Sequence, residues 1–235
     1  MSQGPRPVLS SRMKSSRSPS KPGSLWLLGL DLGQRQDPSA LVLAERTGGG
    51  YHGQYAVRWG RRWPLGTLYE DVAAGVETVM NSPQLADEEL KFIADATGVG
   101  TPVMEMLTRR QLHPMPVLIT SGSMATKDEG GWWHVPKRDL ASVLALVLEQ
   151  GRLRIAKGLE IADQLRREME NFKIKKTAAG NELFEAATEA IHDDLVIALA
   201  LSLWWGERRA FAHRAYAPRG KLRYTDPLLA ADPGR

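Results

Sequence analysis

Residues 25–43 read LWLLGLDLGQRQDPSALVL. The opening apolar run, 25–30, is too short for a helix of ordinary length, follows Pro22 and Gly23, and ends on Asp31. It predicts a buried strand that delivers a carboxylate at its end. After a turn rich in Gly, Asp and Pro, a second apolar run at 39–43 reads as the returning strand of a hairpin. An acidic side chain at the lip of a central strand is costly unless something cationic meets it. The rest of the chain must supply what meets Asp31.

Outward from this stretch, 51–63 (YHGQYAVRWGRRW) follows a triple-glycine turn and predicts a third consecutive antiparallel strand. Leu68, Val72, Val76 and Val79 recur at helical spacing and predict one helix over 65–80. Residues 90–95 form a short apolar strand that again ends on an aspartate, Asp95, before a turn into a helix carrying Val103, Met106 and Leu107. A strand at 116–120 and a polar, Gly-rich loop at 121–131 come next. Residues 135–138 open a helix that runs through 150, followed by a brief strand at 153–155, an amphipathic helix at 159–172 and a minor hairpin from 173–175 and 181–185. Residues 190–201 (AIHDDLVIALAL) predict a helix apolar all round, hence buried, with Asp193 and Asp194 at its first turn. The fold class is α/β, a mixed sheet of three antiparallel strands and then parallel strands, flanked by helices.

Three acidic positions therefore stand at the ends of elements that the pattern makes central. Strand ends and helix starts converge on one edge of such a sheet, where α/β proteins place their sites. Taken singly, Asp31 also serves as a turn former, Asp95 as a helix cap, and Asp193 and Asp194 as favourable helix-start charges. Taken together, converging carboxylates repel strongly at low dielectric and call for divalent cations. Oxygen ligands without His or Cys favour magnesium or manganese. Two such ions about 4 Å apart suit phosphodiester hydrolysis.

Composition narrows the classes. The 235 residues suit one domain with tails, contain no cysteine, and scatter five histidines without zinc-type pairing. The formal charge is +4, yet residues 1–22 hold Arg6, Arg12, Lys14, Arg17 and Lys21 and no acid, so the remainder counts +4 less 5, or −1. The expected division is a disordered basic arm at 1–23, a domain at 24–207 and a basic, aromatic tail at 208–235. No stretch reaches the roughly 18 apolar residues of a membrane helix, so a cytoplasmic protein is expected.

The segments GLDLGQRQDPSALVLAE, FIADATGVGTPVMEML and HDDLVIALALSLWW resemble, in order and spacing, the three motif segments of the nuclease domain of phage large terminase subunits. That resemblance covers about 24–206 and implies a ribonuclease H-like fold and metal-dependent DNA cleavage during genome packaging. It implies catalytic roles for Asp31, Asp95 and Asp194, with Asp193 as a further metal ligand beside His192. Large terminases also carry a packaging ATPase, whereas this sequence has no GxxxxGK[ST] loop. A stand-alone nuclease subunit, a prophage remnant and a separately encoded half whose motor lies on another chain all fit that departure, and a separate packaging ATPase, a small terminase subunit or a portal are the candidate partners in the host cytoplasm. Two other classes compete: an actin-like or sugar-kinase-type ATPase fragment, because GLDLG resembles a phosphate loop, and a non-catalytic DNA-binding or assembly protein.

Double-stranded DNA as partner has separate support in charge. Arg208, Arg209, Arg214, Arg219, Lys221 and Arg223 lie in a stretch without acids, interleaved with Phe211 and Tyr216. Cations track phosphates without reading sequence, and aromatic rings stack on bases. Arg61 and Arg62, by contrast, read as surface positions on a strand.

Overall fold

The run at 25–31 is a strand, and it sits near the middle of a sheet. In a computed structural model that describes residues 24–33, 37–176, 182–186 and 193–216, the chain runs β1 (Leu25–Asp31), β2 (Ala40–Thr47), β3 (Gln54–Arg62), α1 (Tyr69–Met80), β4 (Leu90–Asp95), α2 (Gly100–Arg109) and β5 (Met115–Thr120). It continues through β6 (Thr126–Lys127), β7 (Trp133–Pro136), α3 (Lys137–Glu149), β8 (Leu153–Ile155), α4 (Ala162–Asn171), β9 (Phe172–Lys176), β10 (Glu182–Ala186) and α5 (Asp194–Tyr216). Eight strands form one sheet in the order β6-β7-β5-β4-β1-β2-β3-β8, and β9 and β10 pair as a separate antiparallel hairpin. Within the large sheet β2 is antiparallel to both neighbours and β6 to β7; the other pairs are parallel. This is the mixed sheet that the sequence predicts.

Alternation along β1 sorts the layers. Leu28 and Leu30 pack with Val72 and Val76 of α1 and Leu107 of α2, whereas Leu25 and Leu27 pack with the buried residues of α3, α4 and α5. α5 is apolar on every side because the sheet lies under it and α3 and α4 lie against it. It comes down on β1 at Gly29, where a Cβ atom would lie 1.9 Å from the Ala198 carbonyl oxygen. Only glycine allows that approach of backbone to backbone.

β3 carries a bulge. It pairs with β2 from Thr47 opposite Gln54 to Ala44 opposite Val57, then skips Arg58 so that Leu43 faces Trp59 and Ala40 faces Arg62. The extra residue changes which side chains point to the α5 layer: Tyr55 and Val57 before it, Gly60 and Arg62 after it.

Two departures from the sequence reading concern short segments. Residues 126–136, expected as the end of a loop and the opening of a helix, supply β6 and β7, and α3 begins only at Lys137. Val117 pairs with Trp133 and Thr120 with Pro136, and Trp133 and Val135 are buried in the α5 layer. A four-residue strand is too short to show a period, and its proline resembles a helix start. The second departure is length: α5 continues to Tyr216, so Arg208, Arg209 and Arg214 stand on a helix. The expected arm at 1–23, His192, and Arg219, Lys221 and Arg223 lie outside the described residues. Among the described residues no helix is long and apolar enough to cross a membrane.

Candidate active site

β1 and β4 are parallel neighbours with Leu30 opposite Ala94, so the next residue of each, Asp31 and Asp95, leaves the same edge of the sheet. Adjacent strands run about 4.8 Å apart, which sets the two carboxylates side by side. Asp31 has the parity of Leu27 and Gly29, and Asp95 that of Ile93, so both face the layer of α5. At that edge α5 begins with Asp194, preceded by Asp193. Burial, and then the neighbouring charges of Asp95, Asp194 and Asp193, push the Asp31 carboxyl well above the ordinary range, with Lys137 opposing them. Burial pushes Asp95 up to about 6, against hydrogen bonds from Thr97. The Thr97 amide donates to Asp95 Oδ1 at 2.8 Å, and the Ile119 amide holds Thr97 Oγ1 at 2.7 Å.

Three further residues complete the site, among them Arg62, which pairs with buried Asp194 and is not the plain surface position expected of it. Lys137 Nζ lies 3.0 Å from Asp193 Oδ2, and an Arg62 guanidinium nitrogen 3.0 Å from Asp194 Oδ2. Glu168, buried on the inner face of α4, accepts hydrogen bonds at Oε2 from the amides of Leu195 at 2.9 Å and Val196 at 3.2 Å. Burial, with Asp194 adding to it, pushes Glu168 up to about 7. The signals were present but faint. Glu168 falls three residues after Leu165 on the apolar stripe of α4, and Lys137 follows a strand that was itself missed. Arg62 ends a strand parallel to β1, but a bulge hides its direction.

Ionised, the four aspartates and Glu168 count −5 and Lys137 with Arg62 counts +2, leaving −3 at one sheet edge. Oxygen donors with that imbalance fit a hard divalent cation. Among the described residues no three His, Cys, Asp or Glu side chains are grouped tightly enough to enclose an ion as they stand. Two of the four carboxylates are drawn toward Arg62 and Lys137 instead.

Two of the basic residues expected to meet DNA, Arg208 and Arg209, occupy other ground. Arg208 lies over the rings of Trp133 and Trp204, at 4.1 Å and 5.8 Å, and Arg209 pairs with Glu89. Fourteen residues of helix separate Arg208 from Asp194, about 21 Å at 1.5 Å per residue. The acidic groups and these two arginines thus sit far apart along α5.

The fold has counterparts among solved structures. The crystal structure of the large terminase nuclease from thermophilic phage G20c matches with a TM-score of 0.57 at 24% identity, over 77% of this chain and 82% of that one. The fold is that of a large terminase nuclease domain. It is ribonuclease H-like, as the three sequence segments implied. The same G20c nuclease with bound magnesium matches with a TM-score of 0.57 at 24% identity, over 78% of this chain and 82% of that one. In sequence, the large terminase subunit of Thermus virus P23-45 is 28% identical over 192 residues, 77% of this chain. The chain spans 32% of the length of that curated relative. No family model matches.

Proposed function

We propose that this chain is the nuclease part of a phage large terminase, hydrolysing phosphodiester bonds of double-stranded DNA with magnesium or manganese as the phage genome is packaged. The observation that carries the proposal is the convergence of four carboxylates from β1, β4 and the start of α5 on one sheet edge, where they outnumber the cations Lys137 and Arg62. The magnesium-bound G20c nuclease of the same fold supports it, as does the likeness to a large terminase subunit.

In this reading Asp31, Asp95 and Asp194 would hold one ion, and Asp193, which pairs with Lys137, would contribute to a second. When bound, the metal supplies positive charge to the scissile phosphate and lowers the pKa of the attacking water. Thr97 fixes Asp95 through its amide and hydroxyl, which keeps that carboxylate aimed at the edge. Lys137 and Arg62 neutralise part of the acidic cluster and stand ready to face the phosphate as it arrives. Arg208, Arg209, Arg214, Arg219, Lys221 and Arg223 bring the duplex to the protein by phosphate attraction. A packaging ATPase, a small terminase subunit or a portal are the partners that this reading suggests.

Supercoiled plasmid incubated with magnesium, manganese, calcium or chelator tests the proposal. Nicking is expected with magnesium or manganese and not with calcium or chelator, and Asp31→Asn is expected to reduce it to background. Manganese is also expected to raise the melting temperature of the wild type and not of Asp31→Asn. Wild-type rates and metal response in Asp31→Asn would remove the site assignment.

A further inference from the structure

The amides that open α5 are satisfied in an uncommon way. A helix start leaves its first N–H groups without intrahelical partners, and the side chain at the N-cap position ordinarily accepts from the second and third of them. In α5 those positions are Leu195 and Val196, and the N-cap position is Asp193, whose carbonyl already accepts from Ile197 at 2.8 Å. The Asp193 carboxylate turns instead to Lys137. Both amides are taken by Glu168 Oε2, reaching across from α4, while Gln164 Nε2 donates to the other oxygen at 3.2 Å. Glu168 is buried, with 4% of its surface exposed, and Asp194, with 3%, lies beside it.

We infer that Glu168 is a positioning residue which caps α5 from outside, so that the Asp193 carboxylate is not taken up by the amides of its own helix and the first turn of α5 is held in place. An aspartate that capped its own helix would turn back toward the amides and away from β1. With the cap supplied by α4, the first turn of α5 is held at a fixed height above Asp31 and Asp95. Glu168 acts through hydrogen bonds made by one oxygen, so its role follows reach and acceptor geometry rather than charge. This inference rests on the metal-dependent nuclease reading for its purpose, but not for its geometry.

Two conservative variants separate reach from charge. Glu168→Gln keeps the length of the side chain and one acceptor oxygen while losing the charge; Glu168→Asp keeps the charge and shortens the arm by one methylene. The concentration of manganese that gives half of the maximal melting shift is expected to stay within about twofold in Glu168→Gln and to rise roughly tenfold in Glu168→Asp. Amide hydrogen exchange in chelator is expected to quicken at Leu195 and Val196 in Glu168→Asp and to stay near wild type in Glu168→Gln. The reverse order, with Glu168→Gln the weaker binder, would overturn the inference in favour of a charge or ligand role. Equal exchange and equal manganese response in all three proteins would overturn it as well. Should the wild type show no response to manganese while the exchange order holds, the cap stands and the nuclease reading fails.

Discussion

In the second half of α5, away from the acidic edge, Glu207 is buried and fully partnered. Arg152 donates to its two oxygens at 2.8 Å and 2.9 Å, and the Tyr55 hydroxyl donates to Oε1 at 2.8 Å. Arg46 Nε in turn donates to that hydroxyl at 3.1 Å. Burial alone would raise the Glu207 pKa, but the hydrogen bonds from Arg152 and Tyr55 hold it below its ordinary value. At the acidic edge, Asp31, Asp95 and Glu168 are all displaced upward, burial being the first cause for each. The same helix thus anchors one network in which cations match the acid and another in which acids outnumber cations. A satisfied network rigidifies the fold, whereas a surplus of buried negative charge stores affinity for a ligand that carries the opposite sign.

The largest effect on stability is expected in the Glu207 network. Arg152→Ala leaves Glu207 buried with neutral donation from Tyr55 in place of a two-pronged cation, a loss of about 3–5 kcal/mol. Urea unfolding in chelator measures it, and the manganese response of the folded fraction should not change. A loss below about 1 kcal/mol would mean that the pair is no stronger than a surface one, and the contrast between the two networks would collapse.

Gly29→Ala should touch both properties. Its methyl meets the Ala198 carbonyl at 1.9 Å and Ser202 Oγ at 2.7 Å, and backbone cannot step aside as a side chain does. The expected cost is about 1–3 kcal/mol, as for other overpacked contacts. Because α5 must lift from β1 beside the acidic edge, nicking should fall by more than the unfolded fraction explains. Nicking that merely tracks stability would show that Asp194 is not set by this contact.

The smallest effect is in pH dependence, where the two networks should have opposite signs. A carboxyl raised on folding contributes stability that is present below its ordinary pKa and lost as pH rises through the folded value, about 6 for Asp95 and about 7 for Glu168. Glu207, lowered on folding, contributes stability that is present above its ordinary value and lost as pH falls through its folded one. In chelator, calorimetry should therefore show the melting temperature declining between pH 5 and pH 8. Glu168→Gln should decline less, and manganese should remove most of the slope. A flat profile in chelator would mean that the acidic edge is already compensated.

Much of this arrangement was legible in the sequence where a pattern repeats or a chemical type changes abruptly. β1 and β4 are apolar runs that stop on an acid, and both the strands and their terminal carboxylates were readable from that stop. α5 announced its burial by lacking a polar face. What was not legible depends on contacts between distant segments. Glu168 meets Leu195 across 27 residues and Lys137 meets Asp193 across 56, and neither separation leaves a local mark. Arg208 and Arg209 show a different limit: their charge was plain, but the tryptophan rings and Glu89 that they meet could not be read from composition.

The bulge at Arg58 has a consequence for how the chain tolerates changes in length. β3 contains one more residue than its pairing with β2 uses, so the loss of a single residue there is absorbed by straightening the strand, and Arg62 stays opposite Ala40. β1 pairs with β2 without interruption from Leu25 opposite Arg46 to Asp31 opposite Ala40. It has no such slack. One residue lost between them would exchange the two faces of the strand and turn Asp31 toward α1 and α2. Deletions should thus be forgiven in the strand that supplies the cation and not in the one that supplies the first carboxylate.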